Sequence, residues 1–95
     1  MMRFVVAYYT YNGKTAVVRE HDIPLEHVLP VELWDEYWDW AAEAGVYLVS
    51  TLDECGRTDD SVGGCIGLDA AEDQARALLR VPDGEVMEEH NLPPM

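Results

Sequence analysis

The chain has 95 residues, 19 of them acidic and 6 basic, for a formal net charge of −13, and 48% of its residues are hydrophobic. That apolar content suits one small folded domain and argues against charge-driven disorder; no apolar run approaches the roughly 18 residues of a membrane-spanning helix. The charge argues against nucleic acid, nucleotide or anionic lipid as a direct ligand, since each would approach through a repulsive field, and favours basic proteins and cations.

Residues 3–10 (RFVVAYYT) and 14–19 (KTAVVR) are rich in β-branched and aromatic side chains and flank Tyr11-Asn12-Gly13. Asn-Gly supplies the positive φ angles of a type I′ turn, so this stretch predicts a tight hairpin. Residues 20–29 hold no sustained period and contain Pro24, which reads as a connector; Pro30 is an acceptable first-turn residue for a helix over 30–44 that stops at Gly45. At about 100° per residue, Leu33, Trp34, Tyr37, Trp38, Trp40, Ala41 and Ala44 fall on one arc and Glu32, Asp35, Glu36, Asp39 and Glu43 on the other.

VYLVSTL (46–52) reads as a strand and VGGCIGL (62–68) as a second one weakened by its glycines, with a polar loop between them. Asp69 and Glu72 make an acidic capping box for a helix over 69–80, whose apolar stripe is Ala71, Ala75, Leu78 and Leu79. Val81-Pro82-Asp83-Gly84 is a turn, and the acidic segment 85–95 is expected to fray. The expected fold is therefore α+β in the order ββαββα: one domain over 1–84, with a four-stranded, largely antiparallel sheet and both helices on one face. Trp34, Trp38 and Trp40 would seal that face, Trp40 at its margin, each burying about 150–250 Å².

No motif with strong chemical specificity is present. His21, His27, His90, Cys55 and Cys65 lack any metal-ligand spacing, and Asp53, Glu54, Asp59 and Asp60 lack that of an EF-hand, so neither metal nor cofactor is expected. Cys65 falls in a strand, where a small buried hydrophobe is the usual meaning, and two cysteines are too few for a disulfide framework. The turn Gly63-Gly64-Cys65-Ile66-Gly67 has neither the P-loop lysine nor the dinucleotide fingerprint; its glycines suit a bulge or close strand packing. The N-terminal stretch lacks the apolar segment and cleavage site of a signal peptide, so the expected location is cytoplasmic.

The acidic helix face is the distinctive feature. Glu32 with Glu36, Asp35 with Asp39 and Asp39 with Glu43 stand at i,i+4, where like charges cost a few tenths of a kcal/mol per pair. Five carboxylates over 32–43 span roughly 16 Å of helix axis, about 4 Å per charge, close to the roughly 3.4 Å per phosphate of one DNA strand. The candidate partner-binding residues are Glu32, Asp35, Glu36, Asp39, Trp40 and Glu43, and the expected partner is a basic nucleic-acid-binding protein or nuclease complex. In size and charge the chain resembles the small acidic inhibitors that phages and mobile elements direct at host nucleases, anti-CRISPR and anti-restriction proteins among them, which implies non-enzymatic blockade of a basic site. A housekeeping domain of a high-salt organism, its acids serving hydration alone, is the alternative from another class; a small enzyme or metal-binding domain is the third.

Overall fold

A computed structural model describes residues 5–90 of the chain. Five antiparallel strands form one open sheet in the order β4-β3-β2-β1-β5: β1 Val5–Tyr11, β2 Lys14–Glu20, β3 Val46–Leu52, β4 Thr58–Ile66 and β5 Glu88–His90. Helix α1 (Trp34–Ala44) lies between β2 and β3, preceded by two 3-10 turns at Leu25–His27 and Val31–Leu33, and α2 (Leu68–Leu79) follows β4. No helix among the described residues is long and apolar enough to cross a membrane.

The first four strands are a meander whose hairpin turn is set by Asn12 (φ 51°) and Gly13 (φ 80°), the two positive φ angles that a type I′ turn requires. Tyr11 pairs with Lys14 across it. Between Tyr47–Cys65 and Val49–Val62 the β3/β4 register shifts, so that Gly63 and Gly64 together oppose Leu48 in a bulge. Gly64 carries φ +74°, and the position a Cβ would take on Gly63 lies 2.6 Å from the His21 imidazole, whose Nδ1 accepts the Gly64 N–H at 3.1 Å. The glycine-rich run is thus a bulge that lets the connector after β2 lie close on the backbone of β4.

Four expectations are corrected. The sheet has five strands rather than four because segment 85–90, expected to fray, supplies β5: Tyr8 pairs with His90 and Thr10 with Glu88, and Met87 joins the core. Strand β4 starts at Thr58, earlier than its apolar part suggests, since Thr58–Ser61 are exposed and carry no hydrophobic alternation. Helix α2 has no capping box; Gly67 (φ +91°) turns the chain straight from β4 into Leu68, leaving Asp69 in the first turn where its charge complements the dipole.

The fourth correction concerns what covers the sheet. Helix α2 lies closest along it, touching β1 through β4. Ala71, Ala75 and Leu79 meet Ala7, Tyr9, Ala16, Val18, Val49, Cys65 and Met87 in the main core. Alanines on both sides of this interface permit close approach, and the largest fully buried side chains are Leu79, Val18 and Val49. The tryptophans are not part of this core; Val17 and its β3 partner Ser50, which point to the other face of the sheet, are buried apart from it.

Candidate functional site

Helix α1 is set by its own local chemistry. Pro30 precedes the 3-10 turn Val31–Leu33, which leads into the α-helix at Trp34, and Gly45 (φ 85°) ends it with its N–H donating to the Ala41 carbonyl at 3.1 Å. Its C-terminal end is tied to the start of α2 by the Gly67 N–H, which donates to the Gly45 carbonyl at 2.8 Å. At the other end the Trp34 indole N–H donates to the Leu29 carbonyl at 2.8 Å, and Leu29 is itself buried.

The helix has three faces rather than the expected two. Ala41 is its one buried residue, and half-buried Trp34 and Trp38 lie beside it on the inner line, their rings edge to face at 5.3 Å. Next around the circumference come Tyr37 and Trp40, with Leu33 at their head on the 3-10 turn; Leu33 and Tyr37, expected on the inner arc, are 37% and 41% exposed, and Trp40, expected at its margin, is 56% exposed. The remaining arc holds Asp35, Glu36, Asp39 and Glu43, all exposed and gathered within about a third of the circumference. Glu32 is exposed too, but sits on the 3-10 turn before the helix. The structure therefore brings four of the five candidate carboxylates onto one helical arc, places Glu32 at its head, and leaves Trp40 beside them.

These carboxylates are poorly compensated. Among the described residues the one contact of ion-pair type is His90 Nε2 with Glu88 at 3.9 Å, ionic only when the imidazole carries a proton, and no lysine or arginine there answers α1. Asp35 and Glu36 lie in the first turn, where the helix dipole favours anions, but Glu43 lies at the C-terminal end, where it does not, and the last turn holds no basic residue. Helix α2 follows the opposite pattern, with Asp69 in its first turn and Arg76 in its last. Repulsion at i,i+4 within the arc, and the adverse dipole at Glu43, each cost a few tenths of a kcal/mol.

Other candidate chemistry finds different roles. Cys65 lies in the core under α2 and burial pushes its thiol pKa up, the reverse of what an activated nucleophile needs. Asp53 closes the β3–β4 loop, its Oδ1 accepting the N–H groups of Cys55 and Arg57, both at 2.9 Å; Asp60 Oδ1 accepts from Ser61 N–H at 3.0 Å. No group of three or more His, Cys, Asp or Glu side chains among the described residues is placed to hold a metal ion. A shallow cleft beside the β1–β2 turn is bordered by Lys14 and Arg80 together with Asp53, Glu54, Asp59 and Asp60, a mixed-charge lining of no single character.

Leu33 and Tyr37 are the site residues that the sequence analysis assigned elsewhere. Two apolar runs of 4–3 spacing interleave on this helix, 34/38/41 and 33/37/40, and a helix lying on one surface can seat only the first of them deeply. Compared with protein-family models, with curated proteins and with solved structures, the chain finds no match.

Proposed function

We propose that this is a non-enzymatic acidic binding protein that occupies the basic site of a nucleic-acid-binding protein, with α1 as its contact element. The observation that supports this reading is the exposed carboxylate arc of α1, which no lysine or arginine among the described residues answers. Like charges set against one another, with Glu43 also against the dipole, are retained where a partner gives them a use. From Asp35 to Glu43 the helix advances about 12 Å with four charges, a spacing near that of phosphates along one nucleic-acid strand.

The chemistry is competition. Carboxylates of α1 take the place of phosphates at lysine and arginine side chains, the field of the whole molecule speeds encounter, and Trp40 contributes an apolar contact beside them. Size and charge fit the phage-type inhibitors of nuclease complexes as the biological setting. The experiment is affinity capture from a lysate of the source cells, eluted with a salt gradient and identified by mass spectrometry. Enrichment of one nucleic-acid-binding complex that leaves the column as salt rises is the expected result; recovery of no basic protein above a neutral control domain contradicts the reading.

A further inference from the structure

Leu33, which closes the 3-10 turn leading into α1, is followed by Tyr37 and Trp40 on the helix at intervals of four and three residues, the spacing of a seam along which one helix packs on another. The inner neighbours Trp34, Trp38 and Ala41 are buried or half-buried, whereas the seam is 37–56% exposed. The rings of Tyr37 and Trp40 meet edge to face at 6.3 Å, which joins them into one apolar ridge. A surface that acted by charge alone would not need it, and exposed aromatic side chains are enriched where interfaces concentrate their binding energy. Glu36 and Glu43 lie along one flank of the seam, at the positions from which paired helices select partners by charge.

Resting on the reading that α1 meets a basic partner, we infer that this seam docks an amphipathic basic helix of that partner. Apolar side chains of the incoming helix lie on Leu33, Tyr37 and Trp40, and its lysines or arginines face Glu36 and Glu43. A second copy of the chain fits poorly: two such seams packed antiparallel would set Glu36 of one against Glu43 of the other, between molecules that each carry a formal charge of −13. The required occupant has complementary charge and an apolar stripe of the same period.

Two labelled probe peptides of equal positive charge test this, each about 18 residues long so that a helix can form. One carries leucine at the heptad seam positions with lysine on the flanks; the other has glutamine in place of each leucine. Binding is followed by fluorescence anisotropy at about 0.1 M and about 0.5 M salt. The leucine peptide is expected to bind about tenfold more tightly, and to keep that advantage at the higher salt. Tyr37→Ser combined with Trp40→Ser should erase the advantage, while Glu36→Lys combined with Glu43→Lys should weaken both peptides. Trp40→Gln alone, at the most exposed position, serves should the double serine variant not fold. Equal binding of the two peptides to the parent protein overturns the seam and leaves the acidic-decoy reading intact; failure of both to bind overturns the two together.

Discussion

Tyr9 is 4% exposed in β1 beneath α2, and burial, followed by the nearby charges of Glu89 and Glu72, pushes its phenol up from 10.0 to about 12. The folded state therefore holds the neutral phenol more firmly than the unfolded chain does. This contribution to stability is complete below pH 10.0 and is lost as the pH rises towards about 12. Thermal melting across that window should fall more steeply for the parent than for Tyr9→Phe, which has no phenol to ionise; parallel curves would contradict the assignment. Gly63 offers a second residue-level test. Gly63→Ala must displace the His21 ring and break its bond from the Gly64 N–H, at a cost of about 1–2 kcal/mol. Chemical denaturation should show that penalty, and show it shrinking when His21→Ala is introduced alongside.

At the scale of elements, β5 is short but firmly attached. His90 stacks on Tyr8 with centroids 4.6 Å apart and an 8° tilt, and its Nε2 lies 3.0 Å from Thr10 Oγ1. Tyr11 OH donates to Glu85 at 2.9 Å, and the Arg76 guanidinium donates to the Glu85 carbonyl at 3.0 Å. Truncation after Gly84 removes these contacts and buried Met87, and should cost about 2–4 kcal/mol by urea denaturation; an unchanged midpoint would show that β5 is dispensable. This strand was hidden in the sequence because Glu88-Glu89-His90 has low β-propensity and no apolar alternation to mark it. The Asn12-Gly13 hairpin, β3 and the Gly45 stop of α1 were legible, since turn chemistry and strong periodicity act locally. What periodicity cannot carry is whether a surface waits opposite an apolar arc. The tryptophans satisfied the pattern of a core helix, yet the main core formed under the alanine-lined α2, and Tyr37 on the same arc remained 41% exposed. Of the candidate site, the acidic arc and Trp40 at its edge could be read from spacing alone; Leu33 and Tyr37 beside them needed the structure.

For the whole molecule the decisive property is charge. Besides α1, exposed acids occur on β4 (Asp59, Asp60), α2 (Glu72, Asp73) and β5 (Glu88, Glu89), a distribution that a protein adapted to concentrated salt would share. The two accounts differ in their need for screening. If the acids serve hydration in brine, the fold requires roughly molar salt; if they serve a partner, the domain unfolds cooperatively well above room temperature at ordinary ionic strength, as a melting curve in dilute buffer will show. The central claim, that the acidic arc of α1 is a binding surface, is tested most directly by Glu36→Lys combined with Asp39→Lys. These two changes turn the repulsive pairs Asp35–Asp39 and Asp39–Glu43 into attractive ones, which offsets the favourable dipole contact that Glu36 gives up in the first turn, so the helix keeps about its parent stability while its charge pattern is lost. The measurement is a paired one: the melting temperature of the variant, and its capacity to displace nucleic acid from the captured partner. The account predicts a melting temperature close to the parent's together with loss of displacement. A variant that melts as predicted and displaces nucleic acid as well as the parent would show that this face of α1 is only solvated surface.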